Sequence, residues 1–359
     1  MSEHIFPYKW TLKDANFTKD KGKVFSTFSC GGGSTMGYKL AGFDVIGNCD
    51  IDLEMITAYR LNHKPKVSFH RSVKGLHKSA FLTKEMFELD ILDGSPPCSS
   101  FSISGLREKT WGTKKVFREG QKKQNLDTLF FDFIDLANHL RPKVCVAENV
   151  PGILMGNAKQ YVRRIYKEFD EAGYIVQHWQ LDSSVMGVPQ KRERVFFIAL
   201  RKDLCAPFMY NIDMFTQAPK LDLVFNETPI TFGEVRGEKG FDHSDLERGK
   251  LILHAIKSDK SINDINQRLY GKLSGFNSRI RHDENVCGTI TAGDKDWRFY
   301  DKMACSDYDY AVCGTFPLDY NYSNLKTEDK AKYIIGMSVP PVMTAQIAKR
   351  IYDQWLSKI

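Results

Sequence analysis

No apolar run in the 359 residues approaches the roughly 18 that a membrane-spanning helix needs; Val195–Leu200 is typical of the longest. A helical membrane anchor is therefore not expected. The opening residues, MSEHIFPYKW, lack a basic stretch followed by an apolar one, so no secretory signal is expected either. CxxC pairs are missing, and the 8 cysteines are scattered. That argues against a structural zinc site or a disulfide framework, and it fits a reducing, cytoplasmic compartment. Fixed-period repeats and low-complexity tracts are also missing. Charge is nearly balanced, with 51 Lys+Arg against 44 Asp+Glu for a formal +7, which permits a nucleic-acid partner without requiring one. What is plentiful is apolar residues, at 42%. They suffice for a sizeable core and exclude a largely disordered chain. The length suggests two domains, or one large domain with an insert.

Residues 24–200 read as alternating strands and helices. The expected strands are Val24–Ser29, Asp44–Asp50, Leu89–Leu92, Val144–Ala147, Tyr174–Leu181 and Arg194–Leu200. Between them lie expected helices at Ser34–Leu40, Glu54–Leu61, Leu126–Leu140 and Ala158–Ala172. Such alternation predicts an α/β fold, a mostly parallel sheet with helices on both faces. Residues 201–290 lose the periodicity and suit a second domain or an insert. Helical spacing returns over Ile334–Leu356, with Pro341 able to occupy a first helical turn.

Five stretches carry chemistry. Phe28-Ser29-Cys30-Gly31-Gly32-Gly33 places glycines at the end of a first strand, where backbone approaches a ligand closely. Asp50 ends the second strand, where an acid can accept both ribose hydroxyls of a nucleoside. The phosphate-cradling order GxGxxG is not met, which leaves S-adenosylmethionine, a nucleoside without phosphate, beside the plainer reading of an ordinary α/β glycine turn. In Gly94-Ser95-Pro96-Pro97-Cys98 two prolines fix the backbone just before a thiol that becomes a nucleophile if its pKa is lowered; a buried structural cysteine is the alternative. Glu148 emerges from an apolar strand at the same edge, as a desolvated proton donor or as half of an ion pair with an arginine.

Gln190, Arg192 and Arg194 share one face of an extended chain and suit phosphate or a base carbonyl, unless they are a solvated turn. Finally, Gly105–Asn125 carries seven basic and two acidic residues, a net +5. Directly after Cys98, this reads as a cationic lid over a polyanion or as a solvated loop.

In this order the motifs resemble those of the DNA (cytosine-5) methyltransferases over roughly 24–200 and 286–356. Phe28–Gly33 is similar to the cofactor motif, Pro96-Pro97-Cys98 to the catalytic one, Glu148-Asn149-Val150 to ENV, and Gln190, Arg192 and Arg194 to QxRxR. Gly288–Ala292 and Gly336–Pro341 are similar to the last two blocks. The resemblance implies a Rossmann-like methyltransferase sheet plus a smaller target-recognition domain. It makes Cys98 the thiolate that adds to cytosine C6, Glu148 the acid at N3 and the exocyclic amine, and Arg192 and Arg194 the arginines that hold the base. S-adenosylmethionine, with no metal, would lie against Phe28, Ser29, Gly31, Gly32 and Gly33, then Asp50 and Ile51, then Pro97, Leu129, Ser338 and Val339. Cys30 departs from the usual first glycine, Asp50 from the commoner Glu, Ser99 from Gln and Met337 from Asn. No adenine-binding aspartate is evident near Phe69-His70-Arg71.

The implied organisation is a catalytic domain over 1–202, target recognition over 203–285, the rest of the small domain over 286–333 and a returning C-terminal helix over 334–359. Residues 204–249 hold four basic and eight acidic side chains, whereas 250–281 hold seven and two. The second half, with Arg268, Lys272, Asn277, Arg279 and Arg281, is expected to face DNA. Gln190, Ser99, Ser100, Arg107, Lys109, Lys114 and Lys115 join that expected DNA set. The implied partner is double-stranded DNA, methylated by a monomer. A separate cognate restriction endonuclease and, in a bacterium or phage, association with the nucleoid go with it. An RNA cytosine methyltransferase, a non-catalytic DNA-binding relative and a nicotinamide-dependent oxidoreductase are the alternatives.

Overall fold

The computed structural model describes residues 4–97, 128–156, 158–209, 218–273, 278–326 and 329–359. The chain divides into two compact units. The larger comprises Asn16–Leu181, Glu193–Val224 and Thr344–Ile359; the smaller comprises Met1–Ala15, Asp182–Arg192 and Phe225–Met343.

The larger unit is organised by a seven-stranded sheet of order β3-β2-β1-β4-β5-β8-β6. Its strands are β1 (Lys23–Thr27), β2 (Asp44–Asp50), β3 (Val67–His70), β4 (Ile91–Gly94), β5 (Val144–Asn149), β6 (Tyr174–Asp182) and, after the two-residue β7 (Gln190–Lys191), β8 (Glu193–Arg201). From β3 to β5 all pairings are parallel, and β8 runs antiparallel to β5. Consecutive residues of β1, Val24 and Phe25, are both fully buried. Because neighbours on a strand point to opposite faces, both faces of the sheet are covered. The mixed α/β fold expected from the alternation is what forms.

α1 (Gly33–Leu40) follows Gly32, and α2 (Leu53–His63) starts at Asp52, whose carboxylate accepts the Glu54 and Met55 amides. α3 (Leu129–Leu140) and α4 (Ala158–Glu171) bring the large aromatics to the sheet. Phe130 lies edge to face with Phe133, Tyr161, Phe169 and Phe197, at centroid distances of 5.4–6.5 Å. Such pairs add about 0.5–1.5 kcal/mol each beyond area burial.

Strand readings shift in several places: β1 ends at Thr27 rather than Ser29, since Phe28 is left-handed, and β5 runs on to Asn149. β3 was not anticipated: it is a short edge strand of half-buried residues, with no apolar run to announce it. β4 lies two residues later than Leu89–Leu92, because Asp93, which looks like a strand stop, is buried inside it.

The smaller unit contains short parallel pairs, β7 with β10 (Cys287–Gly288) and β9 (Ile280–Arg281) with β11 (Trp297–Arg298). Its helices are α5 (Phe232–Val235), α6 (Glu247–Ile252), α7 (Ile262–Tyr270), α8 (Asp307–Cys313) and α9 (Lys330–Met337). Capping boxes at Ser261/Asp264 and Ser306/Asp309 start α7 and α8. One of its apolar clusters gathers Ile252, Ile262, Ile265 and Trp297. α10 (Pro341–Gln354) begins on Pro341, and its later turns belong to the larger unit. There Trp355 Nε1 donates to the Lys220 carbonyl at 2.8 Å, and Tyr352 meets Phe43 edge on.

Candidate active site

Strand register brings the expected site segments of the larger unit to one edge. Thr27 lies beside Cys49 and Gly94, and Gly94 beside Ala147. The residues that follow, at Phe28–Gly32, Asp50–Ile51, Ser95–Pro97 and Glu148–Val150, therefore share the carboxyl edge, where α/β sheets hold ligands.

The glycine turn is held by its neighbours. Phe28, Cys30 and Gly32 all have left-handed backbone, with φ of 51°, 46° and 85°. For the two non-glycine residues this costs about 1–2 kcal/mol each. Asp50 offsets part of that cost, since its carboxylate accepts the Cys30 amide and the Asp52 amide, both at 2.8 Å. Asn48 donates to Ser29 Oγ at 2.9 Å, and Gly32 N–H closes onto the Ser29 carbonyl at 2.8 Å. Behind the turn, His63 Nε2 stands 3.2 Å from the Gly31 carbonyl. Burial, then the nearby Lys39 charge, pushes the His63 ring down to about 3, so it is neutral and must donate through Nε2. A Cβ on Gly32 would stand 2.3 Å from that nitrogen, so only glycine fits.

Burial pushes the Asp50 carboxyl up to about 6, against the pull of the Asp52, Cys30 and Ile51 amides. Oδ2 takes the Cys30 amide and Oδ1 the Asp52 amide, and a carboxylate oxygen can accept more than one hydrogen bond.

The catalytic edge is tied together by Asn149, whose side-chain amide donates to the Pro96 carbonyl at 3.3 Å. One residue earlier, Glu148 meets Arg194: Nε donates to Oε1 at 2.8 Å, with both side chains 14% exposed. The antiparallel β5–β8 pairing brings them together. Burial lowers the Arg194 guanidinium, and Glu148 opposes that. The structure thus shows the ion-pair reading of Glu148, with Arg194 as its partner. Ile51 and Pro97 are half-buried here, and Leu129 is buried at the start of α3. Cys98, Ser99, Ser100, Arg107, Lys109, Lys114, Lys115 and Asn277 lie outside the described residues.

In the smaller unit several expected ligand-facing residues hold backbone instead. Gln190 is buried, donating to the Cys313 carbonyl at 3.4 Å and accepting the Ile290 amide at 3.0 Å. That removes it from a DNA-facing surface in this structure. Arg192, expected to hold the base, donates to the Ile290 and Gly336 carbonyls at 3.1 and 3.0 Å. It clamps the two late motifs to each other, and Gly336 packs there with no room for a side chain: a Cβ would stand 2.6 Å from the Ala292 nitrogen. Arg281, expected at DNA, is 6% exposed and paired with Asp296 at 2.7 Å. Burial works against its charge, but Asp296 outweighs it and raises the guanidinium. Arg268 pairs with Asp259 at 2.7 Å, and Arg279 donates to the Thr289 carbonyl at 3.1 Å. Lys272 stays exposed. Ser338 and Val339 are buried on the turn between α9 and α10. His63 and Asp93 were missed by the sequence reading; a lone histidine and a strand-internal aspartate carry no spacing signal.

The family model for the C-5 cytosine-specific DNA methylases matches residues 22–353. The chain belongs to that family, and its enzyme class is DNA cytosine-5 methyltransferase. Type II methyltransferase M.DdeI of Desulfomicrobium norvegicum is 34% identical, over 91% of this chain and 88% of that protein. Type II methyltransferase M.FnuDI of Fusobacterium nucleatum is also 34% identical, but over 51% of this chain and 48%, about half, of its own length. A putative DNA modification methyltransferase encoded in an E. coli prophage shares the fold, with a TM-score of 0.64 at 20% identity over 92% of this chain and 99% of that one.

Proposed function

We propose that this enzyme transfers a methyl group from S-adenosylmethionine to C5 of a cytosine flipped out of a short DNA sequence, through a covalent bond between Cys98 Sγ and C6. The observation that carries the reading is the Glu148–Arg194 pair at the edge that Asn149 ties to Pro96. Cytosine C5 is a poor nucleophile. Thiolate addition at C6, with a proton delivered to N3 by Glu148, turns C5 into an enamine carbon. When bound, S-adenosylmethionine supplies the electrophilic methyl group. A base then removes the C5 proton, the C6–S bond breaks, and N3 returns its proton. Arg194 orients Glu148 through Nε, its Nη1 donates to the Glu193 carbonyl, and Nη2 is offered to the base O2. Extruding the base costs about a few kcal/mol, which phosphate contacts of the basic segment after Cys98 offset.

The residues of the glycine turn suit the cofactor. Asp50 has an oxygen beside each of the Cys30 and Asp52 amides, and a carboxylate can accept two vicinal ribose hydroxyls beyond such donors. Phe28, Ser29, Gly31, Gly32, Gly33 and Ile51 frame the same turn, with Pro97 and Leu129 from the neighbouring segments. The Type II names of the relatives support a modification role beside a separate endonuclease.

The test is a duplex carrying 5-fluorocytosine. With cofactor present, wild-type protein is expected to form a denaturation-resistant adduct and Cys98→Ser none, while Cys98→Ser still binds DNA. Absence of any wild-type adduct on duplexes covering varied sequence, or an adduct retained in Cys98→Ser, defeats the mechanism. Labelling of structured RNA in place of DNA reassigns the substrate.

A further inference from the structure

Asp93 is the last residue but one of β4, 4% exposed and directly beside Ser26 in register. Its carboxylate collects hydroxyls from both sides of the glycine turn. Ser26 Oγ and Ser34 Oγ each donate to Oδ2 at 2.7 Å, and Tyr38 OH donates to Oδ1 at 3.2 Å. The main chain joins in, with Thr27 Oγ1 donating to the Asp93 carbonyl at 2.9 Å. Ser26 and Thr27 belong to β1, just before the turn; Ser34 and Tyr38 belong to α1, just after it. Both flanks of the turn therefore hang on one residue, and that residue precedes Gly94-Ser95-Pro96-Pro97 on the strand leading to Cys98.

The partners are neutral hydroxyls. An apolar residue would fill a sheet interior without the desolvation that a carboxylate suffers there. Burial, with Glu148 adding in the same direction and the three hydroxyls opposing, pushes this carboxyl up to about 6. A group so unfavourable in an apolar sheet is explained by what it aligns. Three donors converging on one side chain leave the turn little freedom to shift against β4, and a ligand resting on the turn gains from that preorganisation.

We propose that Asp93 is a positioning residue for methyl transfer: it locks both flanks of the glycine turn to β4, the strand that precedes Cys98 in the sequence, and thereby sets cofactor affinity. The proposal rests on the reading that the turn binds S-adenosylmethionine.

The test is equilibrium titration with S-adenosylmethionine, DNA binding without cofactor, and thermal unfolding for five proteins: wild type, Asp93→Asn, Ser34→Ala, the double variant and Asp50→Ala. Asp93→Asn is expected to raise the cofactor Kd at least about tenfold, the loss of one hydrogen bond to a charged group. Its DNA affinity should stay within about twofold, since no phosphate contact changes. Ser34→Ala should raise the cofactor Kd about threefold, and the double variant should be no worse than Asp93→Asn, because both act through one contact. A merely structural aspartate would lower the unfolding temperature, leave the Kd of the folded protein unchanged and combine additively with Ser34→Ala. Should Asp93→Asn fail to fold, Ser34→Ala decides, and an unchanged Kd there overturns the proposal. Wild-type protein that binds no cofactor defeats the functional reading itself. Binding that is lost in Asp50→Ala but kept in Asp93→Asn and Ser34→Ala defeats Asp93 alone.

Discussion

In the larger unit the deepest side chains are aromatic, with Phe130 meeting four rings edge to face between sheet and helices. In the smaller unit they include cations. Arg298 is fully buried against Asp301 and Asp309, Arg281 sits on Asp296 and the Gly288 carbonyl, and Lys332 donates to the Gly293 and Asp294 carbonyls. The first unit excludes water with non-directional contact, which tolerates shape-conserving changes. The second fixes irregular loops through directional bonds to particular carbonyls, since its two-residue strands supply few ladder bonds. A basic residue near a nucleic-acid site is thus weak evidence of a nucleic-acid contact; burial decides which role it has.

The largest effect that tests this contrast is on Arg281. Arg281→Ala should destabilise the protein by about 3–5 kcal/mol in denaturant unfolding, because Asp296 is left buried without its partner. Intact stability with collapsed DNA affinity would instead return this arginine to the DNA interface and break the comparison.

The next effect belongs to the larger unit. Asp50 titrates near 6 rather than 3.8. In the proposed cofactor role its ionised form accepts ribose hydroxyls, so cofactor affinity should fall as pH drops through about 6, approaching tenfold per pH unit below it. Asp93, also lifted to about 6, pushes the same way. The stability contribution has the opposite sign: a raised carboxyl costs folding free energy while ionised above 6, and that cost disappears as pH falls from 6 towards 3.8. Titration at pH 7.5 and 5.5 checks the affinity, and a flat response would remove Asp50 from the cofactor.

The smallest stability effect is expected at exposed Lys272. Lys272→Ala should change stability by no more than about 0.5 kcal/mol yet reduce the salt slope of DNA binding by about one ion. A stability loss like that of Arg281→Ala would show that exposure does not separate the two classes of basic residue.

Where periodicity and end signals agree, the sequence was readable. β2 has the bounds its alternation predicted, and Pro341 opens α10 because its missing N–H is spare there. An ion pair of Glu148 with an arginine was one of two readings, and the antiparallel β5–β8 pairing makes that arginine Arg194. Partners brought from afar were not readable. Nothing in Arg281 announces Asp296, and nothing in Gln190 announces the Ile290 amide about a hundred residues away. Asp93 misled the strand boundary for the same reason: its hydroxyl partners come from β1 and α1. His63 serves a carbonyl 32 residues earlier through a contact that helical spacing does not encode.

The buried pair of Arg281 and Asp296 has a consequence for anyone exchanging recognition segments between relatives. A cassette cut at residue 285 would carry the arginine away from its carboxylate, and Arg279 from the Thr289 carbonyl. A graft reaching past Asp309 would keep Arg281 with Asp296 and Arg298 with both its acids, so the practical unit of exchange is set by where the counter-charges lie.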